Sequence, residues 1–348
     1  MFNSFKKIFA AVLCLTLIAA VLGCTAAEDA QNIDKADEKQ AEISLSEFDF
    51  EVMPNEKFSS YPAYPLFSQN QLAEYDGCAY FIGSFDGEYK LTRYDINSAK
   101  ISPLETVSDF GLNRYENKLF LSGDDGCVSY DIAKGSSSTI SGMENGTLIF
   151  DKMYTIVPST DEQDCIGDIY CYDIKSQKSS LIADGVFTEF LSYDENSLYY
   201  CRKNGEAYDV YAQDLVSGED KLIKTLDGAP LTAANGAIAY LKRGALHIEK
   251  SGDTQISDGK TQPLSVLING DTVFYTADNG GLRLYAYDMS KKSTCDFGNI
   301  PDPLITIAGD HMYSFSDPAT GNVSMVEIKN GKPTYRTIAM NHPYPYES

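Results

Sequence analysis

At 348 residues with 43% hydrophobic content, the chain can build a sizeable core, as two average domains or one large all-β unit. Its 50 acidic residues outweigh 28 basic ones, giving −22 at pH 7; such a surface repels nucleic-acid backbones and anionic headgroups. The 24 Tyr and 17 Phe, with no Trp, suit strands, where aromatic and β-branched side chains pack well.

The first residues read as a targeting segment. MFNSFKK is a basic n-region, Ile8 to Leu22 an apolar stretch, and Val21-Leu22-Gly23-Cys24 a cleavage site. This pattern resembles a bacterial lipoprotein signal, and the resemblance implies removal of residues 1–23 and lipid on Cys24. It places the protein on the extracytoplasmic face of a cell membrane, held by its lipid alone. The alternatives are an ordinary secretory signal and an uncleaved anchor; the apolar run is short for a bilayer span of about 20 residues.

Residues 24–45 are polar, charged and small, without apolar periodicity, and read as an acidic flexible tether. A coil of that length spans about 25 Å. The remainder, 46–348, is expected to be one folded domain. At its start Pro54, Pro62 and Pro65 preclude a helix, and the alternation from Phe48 to Val52 fits an edge strand.

From about Phe67 a repeat sets in. A two-residue turn joins apolar runs at Asp76-Gly77, Glu116-Asn117, Asp151-Lys152, Glu195-Asn196, Asn235-Gly236, Asn269-Gly270 and Gly309-Asp310. The spacing of these turns is 40, 35, 44, 40, 34 and 40 residues. A second marker keeps step: Tyr94-Asp95, Tyr130-Asp131, Tyr172-Asp173, Gln213-Asp214 and Tyr287-Asp288, with degenerate copies at Glu249-Lys250 and Glu327-Ile328. Four strands per unit at a period near 40 residues predict a seven-bladed β-propeller of four-stranded antiparallel blades over about 67–340. A single twisted sheet cannot bury both faces, whereas a radial stack can. A β-sandwich of similar strands is the competing architecture.

The Tyr-Asp marker resembles the Trp-Asp position of WD-type blades, although no Trp and no upstream Gly-His are present. The Asp-Gly-x-x-Tyr-Phe and Tyr-Asp-Ile signatures on an acidic lipoprotein more closely resemble bacterial extracytoplasmic propellers of unknown function. The resemblance implies architecture and is nearly silent on activity.

In such blades the loops joining second to third strands share one end of the disc. Asp86, Asp124, Asp125, Asp161, Asp164 and Asp278 fall there, forming a candidate acidic rim for a basic or cation-bridged partner. Lysines cluster in the turns of the other end, at Lys100, Lys134, Lys175, Lys221 and Lys291. The bland reading is that both sets are solvated hairpin loops.

Signals for chemistry are sparse. The three histidines, His247, His311 and His342, lie apart without ligand or relay spacing and read as structural. No cofactor is expected; calcium at Asp124-Asp125 or Asp161 to Asp164 is the alternative, though neither matches a calcium-loop spacing. Cys78, Cys171 and Cys295 fall within strands and read as small buried residues. Cys165 and Cys201, near loops of consecutive blades, are the favoured disulfide pair, with free thiols the competing state.

Three functions compete. The preferred one is a monomeric, non-catalytic propeller that binds a protein or cell-envelope glycan partner, with no nucleic acid involved. The others are a carbohydrate hydrolase or lyase with its site at the channel mouth, and a small-ligand sensor or binding component. Fold alone separates none of them.

Overall fold

In the computed structural model the described residues are 59–66, 71–85, 88–107, 111–123, 126–140, 146–159, 165–316, 322–329 and 332–339. They form seven antiparallel sheets, each built on four consecutive strands, with Ala63–Tyr64 added as a fifth strand to one of them. Blade 1 covers 72–106, blade 2 111–140, blade 3 147–187 and blade 4 191–226. Blade 5 covers 229–255, blade 6 263–299 and blade 7 304–339. This is the expected seven-bladed propeller. Tyr80, Phe120, Tyr154, Tyr199, Tyr240, Phe274 and Tyr313 each lie in the second strand of a blade. The edge strand Phe48 to Val52 lies outside the described residues.

Both residues of the Tyr-Asp marker acquire a physical role. Tyr94, Tyr130, Tyr172 and Tyr287 are buried between blades. The following Asp caps the turn into the fourth strand: Asp95 accepts the Ser98 amide at 2.8 Å, Asp173 that of Ser176 at 2.7 Å, and Asp214 that of Ser217 at 2.6 Å. These backbone donors hold the three carboxyls below the usual carboxylate range. Turn lysines close over neighbouring acids, as in Lys134–Asp131 at 3.0 Å and Lys175–Asp151 at 2.6 Å. The lysine turns are therefore partly neutralised and do not make a simple basic end.

The core is divided among the interfaces between blades, each holding its own apolar cluster. Among the described residues, the ring is closed between blades 7 and 1 without any exchange of strands. There Leu72, Phe81 and Tyr94 pack against Leu304, Tyr313, Phe315 and Met325. Arg336 reaches across the seam from blade 7, donating to the Ile96 carbonyl at 3.2 Å and stacking over the Tyr94 ring.

A polar clasp completes the seam. Glu74 of blade 1, buried, accepts from Tyr313 Oη at 3.0 Å and lies 3.1 and 3.0 Å from His311 Nδ1 through its two oxygens. Gly309 makes this approach feasible. Its φ is +54°, and a Cβ there would sit 2.7 Å from the Glu74 carboxyl carbon.

The Glu74 hydrogen bond raises the His311 pKa above its ordinary 6.5, with the negative charges of Glu74, Asp310 and Glu327 adding to it. A raised histidine stabilises the fold fully below its unfolded value, and that contribution disappears as pH rises through the folded value. Thermal unfolding followed from pH 5.5 to 9 is therefore expected to show a loss of stability above about pH 6.5 that His311→Asn removes. Glu74→Ala is expected to cost about 1.5–3 kcal/mol, because one buried carboxylate serves two donors.

Candidate functional site

A propeller's default site is the axial channel, lined by the innermost strand of each blade. Here those strands are Leu72–Tyr75, Gly111–Tyr115, Thr147–Ile149, Leu191–Tyr193, Ala229–Ala234, Pro263–Asn269 and Leu304–Ala308. The chain itself occupies the channel. Residues 59–66 run through it and bond to the innermost strands of five blades.

Ser59 Oγ donates to the Arg114 carbonyl of blade 2 at 3.2 Å and also accepts the Arg114 amide. Tyr193 of blade 4 donates to the Ser60 carbonyl at 2.7 Å, and Thr232 of blade 5 to that of Pro62 at 3.2 Å. Ser265 of blade 6 donates to the Tyr64 carbonyl at 2.8 Å, and the Tyr61 amide to Ile307 of blade 7 at 2.9 Å. Ala63 and Tyr64 also form a short antiparallel strand on Pro263–Asn269, Ala63 facing Leu267 and Tyr64 facing Val266. That pairing covers a strand edge which would otherwise face the channel unpaired. Ser59, Ser60 and Ala63 are all at most 3% exposed.

The register gives the direction of threading. Ala63 opposes Leu267, nearer the Asn269-Gly270 turn, and Tyr64 opposes Val266, farther from it. Ser59 likewise meets Arg114, just before the Glu116-Asn117 turn. The segment thus enters at the turn end of the disc and runs toward the loop end. Nothing in the sequence marked it, because its serines and prolines read equally well as linker.

Of the acidic-rim residues, Asp86, Asp124, Asp125, Asp161 and Asp164 lie outside the described residues, as does Cys24. Asp278 is described: its Oδ1 accepts the Gly281 amide at 3.0 Å, so it closes its own hairpin loop. Other loop-end charges are engaged in the same way. Asp209 accepts from Thr225 Oγ1 at 2.6 Å, Arg283 pairs with Asp296 at 2.7 Å, and Arg202 pairs with Asp184 at 3.2 Å. Arg202 also lies over the rings of Tyr200 and Tyr211, at 5.5 and 5.0 Å.

Cys165 and Cys201 share one apolar cluster around Phe187 and Tyr208, yet both are free thiols, as are all described cysteines. The favoured pairing is not the state the structure holds. Cys201 sits fully buried within a strand, where desolvation pushes its thiol far above the usual range, while Cys165 stands on the shoulder of a loop. Cys78, Cys171 and Cys295 are buried in strands, as expected. His247 lies in a third strand with Nδ1 2.7 Å from Asp253 Oδ1, and Lys242 holds the other oxygen of Asp253 at 3.2 Å. Among the described residues no group of three or more His, Cys, Asp or Glu could hold a metal ion. Among them, too, no helix is long and apolar enough to cross a membrane.

No family model matches the chain, and no curated protein matches it. Solved structures do match. The β-propeller domain of the Trilobed protease from Pyrococcus furiosus, described as having an open velcro topology, aligns at 10% identity. That match covers 80% of this chain and 98% of the domain, with a TM-score of 0.54. The Pyrococcus horikoshii acylaminoacyl peptidase aligns at 10% identity over 79% of this chain and 53% of its own, with a TM-score of 0.53. A puromycin-hydrolyzing peptidase from Mycobacterium tuberculosis gives 12% identity, 83% and 57% coverage, and a TM-score of 0.50. The chain spans about half the length of these peptidases. At such identities the likeness establishes the class, a seven-bladed β-propeller, and the fold alone.

If residues 59–66 are structural, losing their contacts should loosen the inner ring. Tyr193→Phe, which removes one buried hydrogen bond to Ser60, is expected to cost about 1 kcal/mol in denaturant unfolding. A chain starting at residue 67 should lose several times as much.

Proposed function

We propose that this chain is a lipid-anchored extracytoplasmic propeller that binds a protein or cell-envelope partner at its loop end without turnover. One observation carries the reading: residues 59–66 fill the channel that would otherwise be the natural place for a substrate or small ligand. Recognition is thereby moved to the faces of the disc. It also counts against the hydrolase or lyase reading, which places its site at the channel mouth.

The direction of threading adds to it. Residue 59 enters the channel at the turn end, opposite the loops that join second to third strands. The loop end is where the sequence concentrates Asp86, Asp124, Asp125, Asp161, Asp164 and Asp278. A rim of like charge gains from a basic or cation-bridged partner, and exposed charges are screened beyond about 8–10 Å at physiological salt.

Two variants test the reading. Cys24→Ser should leave the membrane fraction, and intact mass of the wild type should show an acylated Cys24. Replacing Asp124, Asp125, Asp161 and Asp164 with Asn should abolish salt-sensitive capture of envelope partners. Unchanged capture would reduce the rim to a solvated surface and end the proposal.

A further inference from the structure

The seven repeats provide an internal comparison. The signature aromatic of each second strand faces one residue on the third strand. In blades 2 to 7 these partners are Ser129, Cys171, Ala212, His247, Ala286 and Met325. In blade 1 the aromatic is Tyr80 and its partner is Arg93. The fold does not call for an arginine at this position.

Arg93 stands in a cleft of about 650 Å³ between blades 1 and 2, open at the turn end. That volume lies within the range of small-molecule sites, about 300–1,000 Å³. Arg93 Nε donates to Cys78 Sγ at 3.1 Å, which fixes the guanidinium plane. Its terminal nitrogens meet no described carboxylate closer than Asp95, at 4.0 Å. Tyr75, Tyr80 and Tyr130 wall the cleft, and Leu104 adds apolar surface. Tyr80 and Tyr130 are only 3% and 6% exposed overall, and both line the cleft. Burial first, then its neighbours, moves the Tyr80 phenol up to about 12, so it stays a neutral donor at physiological pH.

The mouth is set by two tight turns. Asp76 and Glu116, with φ of +50° and +53°, bring a carboxylate each to the rim, and Asn117 adds a carboxamide. One guanidinium against two carboxylates disfavours a simple anion. It offers both donors and acceptors to a ligand rich in hydroxyls, while the exposed Leu104 side chain suits the C–H face of a pyranose.

We infer that the cleft between blades 1 and 2 is a binding site for an uncharged mono- or disaccharide, oriented by Arg93 and the Tyr80 and Tyr130 hydroxyls. The site lies at the opposite end from Asp278 and does not depend on the partner proposed for the acidic loops.

The experiment is calorimetric titration of the full mature chain with cellobiose, maltose and N,N′-diacetylchitobiose, alongside digalacturonate and glycylglycine. At least one neutral disaccharide should bind saturably at millimolar affinity or better. Arg93→Ala should weaken it about ten- to a hundredfold, and Tyr130→Phe, which removes only an oxygen, by a smaller factor. Arg93→Lys, keeping the charge but losing the planar fork, should fall between them; it provides the reading if the alanine variant does not fold. The quadruple Asn variant of the rim should bind the sugar normally, which separates this inference from the preceding one. Failure of all three neutral sugars to bind at about 10 mM overturns the inference. So does preference for digalacturonate or glycylglycine, or affinity indifferent to Arg93.

Discussion

Closing a ring of sheets without exchanging a strand is the constraint on which the rest of this molecule depends. Each blade takes four strands from one continuous stretch of chain, so among the described residues no backbone ladder crosses from blade 7 to blade 1. Side chains must therefore hold the seam: the apolar set around Phe81, Tyr313 and Met325, the Glu74–His311–Tyr313 clasp, and Arg336 reaching to Ile96. The axial segment offers a second fastening. Because residues 59–66 bond to innermost strands on several sides of the channel, they tie blades together from within. Burial of Ser59 and Ser60 is tolerable because the blades supply partners for their polar groups.

This arrangement separates two jobs that many propellers combine. The channel becomes structure, and the two ends and the clefts between blades become the surfaces available to partners. Both proposals follow from that division, one at the loop end and one between blades 1 and 2. The charged residues are not equally free for such work. Asp95, Asp131, Asp173 and Asp214 cap turns, and Asp278 closes its own loop. Much of the acidic excess is thus spent on local geometry.

How much of this was legible in the sequence depends on the range of the interaction. The turns Asp76-Gly77 and Asn269-Gly270 and the Tyr-Asp markers are local devices repeated at one period, so the blade number and strand positions could be read directly. Burial of Cys78, Cys171 and Cys295 followed from their place in strands. The axial segment was not legible, because Ser59, Ser60 and Pro62 take their roles from Arg114, Tyr193 and Thr232, which lie 55, 133 and 170 positions away. The Glu74–His311 clasp spans 237 positions and likewise leaves no local trace. The expected Cys165–Cys201 bridge is absent from the structure. Shared loops placed both residues in one cluster, but Cys201 belongs to the interior of a strand. Arg93 could be singled out only once strand register aligned it with Ser129, Cys171 and the other blade partners.

Hydrogen exchange at the amides of residues 59–66 tests the account most directly. Tyr61 N–H, bonded to the Ile307 carbonyl at 2.9 Å, is the key reporter. An axial segment that belongs to the fold should exchange as slowly as the innermost strands, opening only with the propeller itself. Exchange of Tyr61 at the rate of an unstructured chain would show the channel open and remove the ground for placing recognition on the faces of the disc.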